Sequence, residues 1–213
     1  MSEQRKRRIK IERDDDGMCT SPREYNNVSV MYCEHKRYSL GDDDNVLGFS
    51  KNSMRSACNC WDDVESELIK RGALEILPVY MYDHSGITIN TTGYGGPFDS
   101  GQIGFVYVTR ASLELCMGWE RITAVRRIKI KETLLQDVAH YDSFLRGAVY
   151  NWVLEVQTCE KCDTWQHEDS CCEFIGDDWR TNGIKDYIQT YLDEGVPLYD
   201  TDDTLIDTTE GGE

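Results

Sequence analysis

The chain has 213 residues, 39% of them apolar, and its 39 acidic and 23 basic side chains give a net charge of −16. That length suits one large domain or two small ones, with enough apolar content for a core. The charge repels a nucleic-acid backbone and argues against direct nucleic-acid binding. No apolar stretch reaches the roughly 18 residues a membrane-spanning helix needs.

In chain order, residues 1–24 read as a flexible arm. They carry the basic run RKRRIK (Arg5 to Lys10) and then Asp14, Asp15 and Asp16. No apolar run follows the basic residues, so a secretion leader is not expected. Residues 27–37 alternate in part, with Val28, Val30 and Tyr32 on one side, and predict a first strand. The stretch SLGDDDNVLG (Ser39 to Gly48) has loop composition. A helix follows over 54–70, capped by Ser50 or Ser53, with Ala57, Trp61, Val64 and Leu68 on its apolar stripe and Gly72 as its stop. ALEILPVYMYDH (Ala73 to His84) is a buried strand whose Pro78 demands an edge, a bulge or two short strands.

QIGFVYVTR (Gln102 to Arg110) is apolar on both faces and predicts a central strand. Thr109 or Ser112 opens a short helix to Met117, and a long helix runs over 123–145. Residues 148–157 form another strand, with CCEFIG (Cys171 to Gly176) as its hairpin partner and a cysteine loop between them. Ile184, Tyr187, Ile188 and Tyr191 or Leu192 mark the apolar face of a last helix within 177–195. From Asp193 onward there are eight acids and no Lys or Arg, so residues 196–213 read as an acidic disordered tail. Strands neighbouring in sequence with helices interspersed predict an α+β fold: a single domain over 25–195 with an antiparallel or mixed sheet flanked by helices.

Nine cysteines, an odd number, point to metal binding or buried thiols rather than to a disulfide framework. In TCEKCDTWQHEDSCCEF, Cys159 and Cys162 are a CxxC pair. Together with His167 and Cys171 (or Cys172) they supply a Cys₃His set for a structural zinc in a hairpin loop over 159–172. The plain alternative is a reduced, metal-free loop. A redox CxxC is the weaker reading, because that motif usually opens a helix and here it precedes a loop.

The second candidate is YDHSGITINTTGYGGPFDSGQIGF (Tyr82 to Phe105). If its flanking strands pair, the loop ends meet: His84 as base, Asp83 or Asp99 orienting it, and Ser85 or Ser100 as nucleophile. No Gly-x-Ser-x-Gly elbow, phosphate loop or dinucleotide fingerprint accompanies these residues. The structural reading is preferred: glycines for positive φ, Pro97 for a turn, and Asp and Ser side chains capping backbone N–H groups. His35 beside Cys33 is too few ligands for a metal, and His140 reads as a packed or surface residue. Asp42, Asp43 and Asp44 lack the alternation a Ca²⁺ loop needs.

Three segments, SPREYNNVSVMYCEHKRYSLGD (Ser21 to Asp42), LPVYMYDHSGITINTTGYGGPFDSGQIGFVYVT (Leu77 to Thr109) and YDSFLRGAVYNWVLE (Tyr141 to Glu155), resemble a widespread family of uncharacterised proteins from bacteriophages and mobile elements. The likeness spans most of 21–180. The chain departs from the family pattern at Gly95, Gly96 and Phe98, where Cys and Trp are more usual, and its cysteine loop looks like an extra feature. The resemblance implies a phage or mobile-element origin, the cytoplasm of an infected bacterium, and no residue roles. On that basis the leading expectation is an acidic binding protein that inhibits a host nucleic-acid-handling or defence complex, such as a restriction or CRISPR effector, by imitating nucleic-acid charge. The alternative is a small-nucleotide-binding protein or hydrolase using the 83–102 loop, through His84, Asp99 and Ser100.

Overall fold

The computed structural model describes residues 5–15, 17, 19–42, 54, 58–96 and 99–208. Among them are four helices and two four-stranded sheets, one mixed and one antiparallel, so the fold is α+β as expected. The expected domain over 25–195 is divided: the chain forms two compact units, Ser21–Arg146 and Met1–Thr20 with Gly147–Glu213.

In the unit Ser21–Arg146, strands β2 (Ser29–Cys33), β3 (Ala73–Asp83), β4 (Ile87–Asn90) and β5 (Ser100–Thr109) form an antiparallel sheet of order β2-β5-β3-β4. Residues 103–108 of β5 are all buried, which is why the strand is apolar on both faces and central. Helices α2 (Arg110–Met117) and α3 (Ala124–Leu145) contribute Leu113, Ile130, Leu134, Val138 and Tyr141 to a core with Met31, Val79, Ile89, Ile103 and Val106. Helix α1 (Trp61–Lys70) contributes Val64 and Leu68 to a second core with Val30, Tyr32, Phe105 and Tyr107. The alternation along β2 and β5 sends successive side chains to these two cores.

Local chemistry sets the element ends. Thr109 caps α2 through a reciprocal pair with Ser112 at 3.1 Å, and Gly118 ends it in the left-handed conformation. Thr123 caps α3. α1 begins at Trp61, so of its expected extent over 54–70 only the second half is seen as this helix; Ser50, Ser53 and Ala57 lie outside the described residues, as do Asp43, Asp44, Pro97 and Phe98. Pro78 sits where β3 has β5 on one side and β4 has not yet begun, with register shifts before and after it. The strand is locally an edge there, as an internal proline requires.

In the other unit the sheet order is β7-β6-β1-β8: β1 (Arg7–Arg13), β6 (Val149–Cys159), β7 (Thr164–Ile175) and β8 (Leu198–Tyr199). β1 pairs antiparallel with β6 and parallel with β8. Helix α4 (Ile184–Asp193) lays Ile184 and Ile188 on Ile9, Ile11, Trp152, Leu154, Phe174 and Leu198. Two stretches expected to be unstructured therefore carry order. Arg7–Arg13, placed in the arm, form a strand with Ile9 and Ile11 turned inward. Leu198–Tyr199, placed in the tail, pair with it, and Tyr199 also bridges to Leu205.

Candidate functional site

The glycine-rich stretch lies in the unit Ser21–Arg146, and its ends do meet. Tyr82 pairs with Ser100 across β3 and β5, and the Asp83 N–H donates to Asp99 O at 2.8 Å. His84, Ser85 and Gly86 make the tight reversal between β3 and β4, with Ser85 at φ 60° and the His84 N–H donating to Gly86 O. Asp99 is also left-handed, at φ 63°. These two turns place His84 Nδ1 3.6 Å from Asp99 Oδ2, with both side chains more than half exposed.

An open cleft of about 310 Å³ lies beside this pair, lined by His35, Arg37, Asp83, Asp99, Ser100 and Gln102 among others. Arg37 forms an ion pair with Asp83, and the Tyr38 hydroxyl reaches the same carboxylate at 3.4 Å. His35 stacks on Tyr38 with centroids 5.0 Å apart. The Tyr82 ring stands between His84, at 5.9 Å, and Tyr94, at 5.5 Å.

The two turns bring His84 and Asp99 together but do not complete a nucleophilic relay. Ser100 Oγ donates to Gly96 O at 2.5 Å instead of to His84. Asp83 is engaged by Arg37 and is not an orienter of His84. The arrangement suits recognition of a small polar ligand better than acyl transfer, which needs a serine within hydrogen-bond reach of its base. Sequence reasoning missed Arg37 and Tyr38. They arrive from just past β2, 45 and 46 residues before Asp83, and no local pattern ties the two segments together.

The other sequence candidates disperse. Cys33 is buried whereas its neighbour His35 is not, and His140 lies on the exposed side of α3. Asp42 is half of a buried ion pair with Arg23.

The zinc set lies in the unit Met1–Thr20 with Gly147–Glu213. The cysteine loop is mostly strand: β6 and β7 pair from Val149↔Ile175 to Cys159↔Thr164, so only residues 160–163 turn. His167 stands opposite Glu155 and Cys171 opposite Trp152. At about 3.3 Å per residue, His167 is roughly 13 Å and Cys171 roughly 23 Å along the ladder from Cys159. A Zn–S bond spans only about 2.3 Å. Cys159, Cys162, His167 and Cys171 thus do not fit one tetrahedral ion in this hairpin, and Cys172 is no nearer. His167 Nε2 instead meets Ser170 Oγ at 2.9 Å. Among the described residues no three His, Cys, Asp or Glu side chains are grouped to hold a metal.

The CxxC pair itself stays together at the tip. The Cys162 thiol and the backbone N–H groups of Cys162 and Lys161 hydrogen-bond to the Cys159 sulfur and hold its pKa below the ordinary thiol value. Elsewhere in the unit, burial pushes the Cys19 thiol up to about 11, aided by the charges of Glu173 and Asp14.

Compared with protein-family models, curated proteins and solved structures, the chain matches none of them. No helix among the described residues is long and apolar enough to cross a membrane.

Proposed function

We propose that this chain is an acidic binding protein that occupies a basic protein surface in place of nucleic acid. The observation that carries this reading is where the charge lies. The unit Met1–Thr20 with Gly147–Glu213 holds 22 Asp and Glu against nine Lys and Arg, a net −13 of the chain's −16. Several of those basic groups are already engaged: Arg7 by Glu168 and Glu194, Arg8 by Glu155, and Lys10 by Asp203. Asp186 and Asp193 on α4 face solvent, as does Tyr187, which is 59% exposed and lies edge-on to Phe174. Exposed carboxylates and an exposed aromatic on one helix offer a basic groove both the charge of phosphates and an apolar anchor. The resemblance to phage and mobile-element proteins makes the partner a host nucleic-acid-handling or defence complex, met in the cytoplasm of an infected bacterium.

The test is capture of partners from nuclease-treated bacterial lysate by the tagged full chain, at low and high salt and with competing duplex DNA. A single stoichiometric nucleic-acid-binding protein, released by salt and by DNA, is expected. Substituting Asp186→Asn and Asp193→Asn should weaken that capture. A partner unmoved by salt and DNA, or none at all, sinks the reading.

A second reading takes the cleft at His84 and Asp99 as the site of a small nucleotide. It is favoured by the convergence of His35, Arg37, Asp99 and Gln102 on one cleft, with His84 3.6 Å from Asp99 at its side. The engagement of Ser100 leaves recognition, not a serine-centred reaction, as its stronger form. His84→Ala with Asp99→Ala would abolish nucleotide binding measured by calorimetry while leaving the salt-sensitive capture intact.

A further inference from the structure

The tip of the β6–β7 hairpin carries chemistry that neither reading uses. Four residues, Glu160 to Asp163, reverse the chain between Cys159 and its partner Thr164, with Asp163 left-handed at φ 48°. That reversal keeps Cys159 and Cys162 three residues apart at one four-residue turn, where the Cys162 thiol and the N–H groups of Cys162 and Lys161 hold the Cys159 thiol below its ordinary value. Cys162 itself lies 3.0 Å from Thr164 Oγ1, and the tip is open to solvent.

The acids that would oppose a thiolate here are occupied. Glu160 is held by Lys6 Nζ at 2.9 Å, and Asp163 accepts from Gln157 Nε2 and Trp165 Nε1, both at 2.9 Å. Lys161 adds a positive charge between the two cysteines. A redox CxxC usually gains its N–H donors from the start of a helix; this turn supplies the equivalent donors without one.

We propose that Cys159 and Cys162 form a thiol–disulfide exchange centre at this hairpin tip, with Cys159 as the attacking sulfur and Cys162 as the resolving one. The oxidant is a disulfide, R–S–S–R′, of a small thiol or of a partner protein. The Cys159 thiolate attacks one of its sulfurs, that S–S bond breaks, and R′–S⁻ leaves and takes a proton from water. Cys162 then loses its proton to solvent and attacks the Cys159 sulfur of the mixed disulfide, expelling R–S⁻. Two electrons pass to the partner disulfide, which becomes two thiols, and the Cys159–Cys162 dithiol becomes one disulfide.

Lys161 makes the test direct, because trypsin cuts between the two cysteines. The full chain is equilibrated in reduced and oxidised glutathione, alkylated, digested and read by mass spectrometry. Peptide 147–161 is expected to be joined to peptide 162–180, with fragmentation placing the bond at Cys159 and Cys162. The Cys171→Ser/Cys172→Ser double variant should keep that link. In Cys162→Ala, glutathione should accumulate on Cys159. Cys159 in the reduced chain should be alkylated at least ~10-fold faster than the exposed Cys116. Three results would overturn the proposal: no link under excess glutathione disulfide, Cys159 no faster than Cys116, or both thiols protected by a metal that a chelator releases.

Discussion

Arg23 grips Asp42 through two parallel hydrogen bonds, Nε to Oδ1 at 2.7 Å and Nη2 to Oδ2 at 2.9 Å, with the two side chains only 4% and 15% exposed. The same carboxylate accepts the Met31 N–H at 2.9 Å, and the guanidinium also reaches Ser29 O at 2.9 Å. The pair ties the chain entering β2 to the turn leaving it at Gly41. Removing one partner strands a buried charge, which costs roughly 3–5 kcal/mol. Asp42→Ala should therefore lower the thermal midpoint by about 10 °C or more. Arg23→Lys should recover little, since an ammonium cannot make the fork. Thermal and urea unfolding of the three chains checks this; a midpoint unchanged by Asp42→Ala would contradict it.

Gly104 tests packing without charge. A Cβ built on it would lie 1.8 Å from Tyr32 O, against the backbone of β2, where nothing flexible can give way. Gly104→Ala must push β2 off β5 and should cost more than ~4 kcal/mol, beyond the range of ordinary substitutions. Gly101, in the same strand, has open space where its Cβ would stand, so Gly101→Ala should be near neutral. Similar urea midpoints for the two variants would refute the account of this sheet.

The contrast between elements explains what was readable in the chain. β5 and α3 were legible because burial on a repeating face leaves a long apolar pattern, and Thr109 and Thr123 cap their helices by local chemistry. The meeting of His84 with Asp99 followed from pairing β3 with β5. β1 was hidden because only Ile9 and Ile11 face inward, between basic residues whose charges are met by Glu155, Glu168 and Asp203 from distant parts of the chain. β7 was hidden for the opposite reason. It is an edge strand, exposed along most of its length, so Thr164 to Ser170 show no alternation and read as a loop. That misreading produced the zinc set, which needs a compact loop where a ladder runs. Arg37 and Tyr38 were invisible because long-range contacts leave no local period.

The Arg7–Glu168 pair gives the unit an acid-sensitive contact. Arg7 donates to both oxygens, at 3.0 and 2.6 Å, and its hydrogen bonds hold the Glu168 carboxyl below the usual range. A carboxylate whose folded pKa is depressed stabilises the fold above its unfolded value, near 4.5, and loses that contribution as pH falls through the folded value. The side chains are 29% and 37% exposed, so solvent screening limits the effect to under ~1 kcal/mol. Glu168→Gln should lower the urea midpoint slightly at pH 7 and leave it nearly unchanged at pH 3. An equal loss at both pH values would show that packing, not charge, is what the substitution removes.

Ile9 is fully buried among Trp152, Leu154, Ile184, Ile188 and Leu198, in a strand flanked by β6 and β8. A sheet that loses an interior strand loses both ladders at once, so deleting residues 1–13 should unfold this unit, which a dispensable arm would not do. Ile9→Ala is the milder test and should cost about 2–5 kcal/mol through lost burial and the cavity left behind. Hydrogen exchange separates the outcomes. In the deletion chain, amides of β6, β7 and α4 should lose protection while those of β2, β3 and β5 keep theirs. Retained protection in β6 after the deletion would mean that β1 contributes nothing to this core.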